Sequence, residues 1–261
     1  MTPPEQTPLS WHDPGLWLAP LIMLLAFTTI LLSGSNQSLF LLVNHGATQL
    51  PDAWWENLTV LGDSLVTVTL LSFFVRSHPQ MVRAALIAIV LTLLWVHGLK
   101  PLLAIARPPA VLDPALFHII GPAHRSGSFP SGHTAAIFTL AGLIILHCRG
   151  TRLAIIMALL IATLTGLSRI AVGVHWPLDL LAGAFGGWMS AAIATVITAR
   201  WHGRHPRITG LLIIALLGGC ALTLLMVQPE YLHATTLQRV IASSALFMLG
   251  YATWRQITTS G

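Results

Sequence analysis

Met81–Lys100 reads MVRAALIAIVLTLLWVHGLK, and after Arg83 it carries no Lys, Arg, Asp or Glu until Lys100 closes it. A helix that crosses a bilayer needs about 20 largely apolar residues, and this stretch has that length. A backbone in lipid must satisfy its own polar groups, which leaves helices or closed barrels. The chain shows none of the apolar–polar alternation of barrel strands. Met81–Lys100 is therefore expected to be a membrane helix, and its surroundings repeat the pattern. The other candidates are Leu16–Leu32, Leu58–Val75, His133–Cys148, Leu153–Ser168, Leu178–Ala199, Ile208–Val227 and Leu237–Trp254. The expected fold is all-α, a polytopic membrane helical bundle.

Composition supports this. The chain has 261 residues, 55% hydrophobic and 8% charged, against about 25% charged in an ordinary soluble domain. The mean hydropathy is +0.78. The net charge is +5, but the charges fall in small clusters and form no basic face for nucleic acid. Cys148 and Cys220 are the only cysteines, so neither a disulfide framework nor a thiolate metal site is indicated. The first residues lack Lys and Arg and do not resemble the charged start of a cleavable signal peptide. The first apolar run is expected to be a retained anchor.

The positive residues set an orientation. If the helices cross in order, Arg76, Arg83, Arg149, Arg152, Arg200, Arg204, Arg207 and Arg255 share the side of the N-terminus. Lys100, Arg107, Arg125, Arg169 and Arg239 lie opposite. Three of those five belong to the polar stretches described next. Without them the split is eight against two, which places both termini in the cytoplasm. The same count puts the ends at Lys100, His133, Ser168 and Asp179 on the extracytoplasmic side.

Three polar stretches interrupt the apolar sequence at that face: Lys100–Pro108 (KPLLAIARP), Pro130–His133 (PSGH) and Ser168–Asp179 (SRIAVGVHWPLD). Each residue has an ordinary reading. Lys100, Arg107 and Arg169 are cations that could snorkel to the interface. Ser131 is a good N-cap, and Asp179 is a favourable charge at a helix start. Pro101 and Pro108 predict that a helix ends or bends there. Asp63 falls about two turns into the second helix, facing either the site or solvent.

Together the stretches read as a phosphate site. Ser131 and Gly132 offer free N–H groups at a helix N-terminus, which attracts anions. His175 and Asp179 are four apart and share a helical face. A carboxylate that accepts from one ring nitrogen frees the other to attack phosphorus. Spacing leaves the nucleophile open between His133 and His175. No acidic cluster suited to Mg²⁺ or Ca²⁺ occurs in these stretches, so protein cations are expected to stabilise the transferring phosphoryl group, with no metal and no cofactor.

Lys100-x₆-Arg107-Pro108, Pro130-Ser131-Gly132-His133 and Ser168-Arg169-x₅-His175-x₃-Asp179 resemble the three-part signature of the type-2 phosphatidic acid phosphatase, or lipid phosphate phosphatase, superfamily. The resemblance covers about Leu58 to Ala199. It implies a six-helix phosphatase core within residues 1–200, and leaves 201–261 as a two-helix C-terminal transmembrane hairpin. It also implies metal-independent hydrolysis in two steps. His175 would attack phosphorus, Asp179 would orient it, and His133 would protonate the leaving oxygen. Lys100, Arg107, Ser131, Gly132 and Arg169 would hold the phosphate oxygens.

The implied substrates are lipids carrying a phosphomonoester or pyrophosphate: undecaprenyl diphosphate, phosphatidylglycerol phosphate, phosphatidic acid or lipid A. The expected setting is the periplasmic face of a bacterial inner membrane. Alternatives are a lipid phosphotransferase with the same nucleophile and a non-catalytic lipid-phosphate transporter or binding protein. Transport is disfavoured because the polar residues gather at one rim and not at the bilayer midplane. The loop Ala110–Phe129, the longest on the outer side, is expected to face the substrate.

Overall fold

The computed structural model describes residues 11, 13–148, 152–199 and 206–258, and among these the regular structure is helical, with no strand. The elements are α1 (Leu18–Ser33), α2 (Asn36–Ala47), α3 (Asp52–Val60), α4 (Ser64–Leu70), α5 (Pro79–Leu103), the single turn α6 (Pro108–Val111), α7 (Gly132–His147), α8 (Arg152–Ala171), α9 (Pro177–Ala199), α10 (Pro206–Met226) and α11 (Thr235–Thr258). Arg149, Arg200 and Arg204 of the charge tally lie outside the described residues.

Four helical stretches are long and apolar enough to cross a membrane: Pro14–Ser33, Pro79–Val111, Arg152–Ala171 and Pro177–Ala199. The α3–α4 pair makes a fifth if it is one broken span; Gly132–His147 and Gly210–Met226 are apolar but shorter. Leu25, Leu94 and Phe247 stand exposed on the outside, as a lipid-facing surface requires. The fold is an all-α polytopic membrane bundle.

Helix α9 lies at the centre, packed most extensively on α7, then on α5 and α1. Lipid gives helices no hydrophobic reason to associate, so close contact of small residues carries the packing. Gly183 and Gly187 provide it. A Cβ at Gly187 would sit 2.2 Å from the Ala135 carbonyl oxygen, and one at Gly183 would sit 2.5 Å from that of Ser131. This contact fixes the register of α7 on α9 where the two chemically important helix starts meet.

Helix α2 was not expected, and three other differences from expectation bear on the site. Leu58–Val75 is not one helix: α3 and α4 are bent by 64° at a short break. The cause is Asp63, whose side chain accepts from the N–H groups of Leu65 and Val66 and starts a new helix. Asp63 is thus an N-cap and not a residue two turns inside a helix. Helix α5 passes through Pro101 and ends at Leu103, closed by Ala104 in a left-handed conformation, φ 45°. Helix α8 runs three residues past Ser168, to Ala171.

Candidate functional site

The turn from α8 to α9 builds the centre of the site. Gly173 has φ +82°, and a Cβ there would meet the His118 carbonyl oxygen at 2.7 Å. Its N–H donates to Ile170 O, and that of Val174 donates to Arg169 O, the two bonds of a Schellman C-cap. This cap sets the spacing of the motif. It ends α8 just after Arg169 and turns the chain so that His175 comes back over the same helix end. Pro177 then occupies the first position of α9.

Asp179 serves two purposes there. Its Oδ2 accepts from the Trp176 backbone N–H at 2.8 Å, the reaching-back half of a capping box. The same oxygen accepts from His175 Nδ1 at 3.1 Å and from Ser128 Oγ at 2.5 Å. A carboxylate only accepts, so Nδ1 carries the proton and Nε2 keeps its lone pair. Both side chains are 2% exposed. Burial, followed by the positive charges of Arg107, Arg169 and Lys100, pushes the His175 pKa well below 6.5 against an opposing Ser128 backbone hydrogen bond.

The Pro-Ser-Gly turn is bonded directly to this centre, since the Ser131 N–H donates to the Asp179 carbonyl at 3.0 Å; contrary to expectation, that N–H is not free for an anion. Ser131 caps α7 as expected: its Oγ accepts from the Thr134 N–H at 3.4 Å and from the Thr134 hydroxyl at 2.9 Å. Gly132 is not sterically required, because a Cβ there would make an ordinary 3.6 Å contact with Val96. His133 follows in the first turn, half-buried, within electrostatic reach of His175, Arg169, Arg107 and Lys100. It borders a cavity of about 140 Å³ that Asp63, Glu230, Tyr231 and Gln238 also line.

The cations reach the site from three elements. Arg107 follows a short extended segment held against the loop between α6 and α7 by Arg107 N–H to Arg125 O and Ser128 N–H to Ile105 O. Its Nε donates to Ser126 O at 2.9 Å, with longer contacts to Gly127 O and Val174 O. Arg169 is 2% exposed. One of its terminal nitrogens donates to Thr59 Oγ1 at 2.6 Å and to Tyr231 Oη at 3.1 Å, while Nε has no protein partner. Lys100 is half-buried at the end of α5. Among the described residues neither arginine forms an ion pair. Asp179 acts on Arg107 and Lys100, and Glu230 on Arg107, only at longer range; buried cations without a directly paired carboxylate favour an anion beside them.

All eight expected residues therefore meet at one end of the bundle. Several partners were not foreseen. Ser128 completes the bonding of Asp179. Asn44, fully buried on α2, donates to the carbonyls of His118, Ile170 and Ala171 and accepts from the His118 N–H, clamping the loop between α6 and α7 to the end of α8. Phe40 of the same helix packs 5.2 Å from the Trp176 ring. Thr59 and Tyr231 hold Arg169.

Residues 81–203 match the profile of the PAP2 superfamily. The undecaprenyl-diphosphatase of Sulfolobus acidocaldarius is 28% identical over 183 residues, which cover 67% of this chain and 87% of that protein. The lipid A 1-phosphatase of Rhizobium etli is 31% identical over 176 residues, covering 58% of this chain and 75% of that one. The crystal structure of Aquifex aeolicus LpxE aligns with a TM-score of 0.54 at 31% identity, covering 64% of this chain and 95% of its own. The matched span carries all eight motif residues in the order their helices present them, and the chain belongs to the PAP2 superfamily, a family of phosphatases.

Proposed function

We propose that this protein is an integral membrane lipid phosphatase that removes phosphate from a lipid phosphomonoester or pyrophosphate through a phosphohistidine. The observation that carries the reading is the buried Asp179–His175 pair at 3.1 Å, set among cations with no carboxylate of their own. An oriented neutral imidazole beside uncompensated guanidinium groups is the arrangement that attack on a phosphoryl group needs.

The chemistry follows from the geometry. His175 Nε2 gives its electron pair to phosphorus as the bond to the leaving oxygen breaks. His133 donates a proton to that oxygen. Arg107, Arg169 and Lys100 offset the charge on the non-bridging oxygens, Gly132 contributes the N-terminal end of α7, and Ser131, whose N–H is bonded to Asp179, caps that helix and ties it to the centre. Asp179 holds the Nδ1 proton, so the phosphorylated imidazole is stabilised without changing its tautomer. Water then attacks phosphorus, His133 takes its proton, and inorganic phosphate leaves as Nε2 recovers its pair.

The relatives' names favour lipid pyrophosphates and lipid A phosphates as substrates. Undecaprenyl diphosphate, phosphatidylglycerol phosphate and phosphatidic acid offer the same terminal phosphate. The charge distribution supports a periplasmic site in a bacterial inner membrane, with both termini cytoplasmic. Residues 1–200 would carry the phosphatase core and 201–261 an added hairpin. The test is phosphate release from a panel of lipid phosphates and diphosphates in detergent, with His175→Ala as control. Binding without release across the panel would replace the enzyme by a lipid-phosphate carrier.

A further inference from the structure

We propose that the loop joining α10 and α11 completes the phosphate site, with Tyr231 as a positioning residue for Arg169. The inference rests on the phosphatase reading and extends it beyond the matched family span, which ends at residue 203.

Arg169 has five N–H donors in a planar fork. One end of that fork is tied to Tyr231 Oη and Thr59 Oγ1, and Nε is left buried without a protein partner. Both anchors are neutral oxygens. A carboxylate in either place would hold the guanidinium as well, but it would cancel the charge that a phosphate must find. Neutral acceptors orient the cation and leave its charge uncompensated. A fork fixed at one end then presents its remaining donors in one direction, as bidentate recognition of an oxyanion demands.

Tyr231 is placed for this purpose by contacts on every side. It is 3% exposed, and its ring centroid lies 5.9 Å from the Arg169 guanidinium carbon. The ring rests on Gly121, where a Cβ would come within 2.8 Å of it and where φ is +73°. The outer loop thus leaves room for this side chain. Its neighbours are pinned as well. The His233 N–H and Nδ1 both bond Glu56 Oε2, at 2.8 and 3.0 Å, and His124 bonds Glu230 at 2.6 Å. Glu230 and Tyr231 wall the cavity that reaches His133. A C-terminal hairpin that served only as a membrane anchor would have no need of these bonds.

The test uses the full chain in detergent. Tyr231→Phe keeps the ring and removes the hydroxyl; Thr59→Val removes the other anchor and keeps the shape. Each is compared with wild type for phosphate release from a short-chain phosphatidic acid, for inhibition by orthovanadate, and for the thermal shift that orthovanadate produces. Each variant is expected to lose about 10-fold in kcat/KM, since a hydrogen bond to a charged group is removed. Vanadate inhibition should weaken in step, while the unliganded thermal midpoint falls only by the few degrees that one lost buried hydrogen bond costs.

The decisive comparison is made in an Arg169→Lys background. There Tyr231→Phe should change kcat/KM by less than about 2-fold, because the effect passes through the guanidinium. An equal loss in both backgrounds, or wild-type kinetics and vanadate response in Tyr231→Phe, overturns the assignment. A wild-type protein that releases phosphate while Tyr231→Phe behaves identically rejects the positioning role alone. A wild-type protein with neither turnover nor a vanadate shift rejects the phosphatase reading and this inference together.

Discussion

Two turns at the same end of the bundle each carry a histidine, and they treat it in opposite ways. The α8–α9 turn locks His175, with Nδ1 bonded to Asp179 and that carboxylate bonded in turn to Ser128 and Trp176. The start of α7 fixes only the backbone around His133: Ser131 caps the helix, and the ring stands half-buried at the edge of a cavity. A nucleophile must hold one tautomer and one direction through two steps. A proton donor must follow a leaving oxygen that moves away. The rigidity of one turn and the openness of the other match those demands.

The largest expected effect separates the two histidines. On the proposed phosphohistidine route, His175→Ala should lower phosphate release by at least about 10,000-fold, because it removes the group that accepts the phosphoryl. The variant should still insert. Trapped phosphohistidine should vanish in His175→Ala and survive in His133→Ala; the reverse outcome would exchange their roles. Asp179→Asn comes next, with a loss of about 1,000-fold expected, as an amide no longer enforces the Nδ1–H tautomer.

His133→Ala should cost about 100- to 1,000-fold on a lipid phosphate, and much less on an aryl phosphate whose leaving oxygen needs no proton. A loss that ignores the leaving group would remove His133 as the acid. The pH profile sharpens the contrast. Because its pKa lies well below 6.5 in the folded protein, His175 stays neutral as pH falls through that value, and is protonated only further down. The acidic limb of kcat/KM is therefore expected below pH 6.5. The alkaline limb belongs to the proton donor and should vanish in His133→Ala. An acidic limb centred at or above pH 6.5 would mean that His175 is not held neutral.

The motif residues stood out because each interrupts an apolar run, where a polar or charged side chain is costly and calls for a partner. Lys100, Arg107, Arg169, His133, His175 and Asp179 all announce themselves in this way. The bend at Leu61–Asp63 also had a signal, since Gly-Asp-Ser inside an apolar stretch is a helix start. By contrast, Ser128, Thr59, Asn44 and Tyr231 are residue types common in any loop or helix end. Their importance depends on which helix end arrives opposite them, and hydropathy does not encode that. Gly183 and Gly187 fall between these cases. Their four-residue spacing on an apolar helix suggests close packing, but the partner, α7, is known only from the fold.

The smallest effect tests whether the two turns are independent. Ser128 Oγ is one of three donors to Asp179 Oδ2. Without it the carboxylate keeps His175 and Trp176 and becomes a stronger base. The imidazolium form of His175 is then better stabilised, so its pKa rises. Ser128→Ala should therefore move the acidic limb upward and lower kcat/KM by about 10-fold at neutral pH, the effect of losing one charge-assisted hydrogen bond. Its sensitivity to the leaving group should equal that of wild type, because nothing at His133 has changed. If that sensitivity changes with the acidic limb, the two turns act as one hydrogen-bonded unit. The Ser131–Asp179 backbone bond is then the link through which Ser128 reaches the acid.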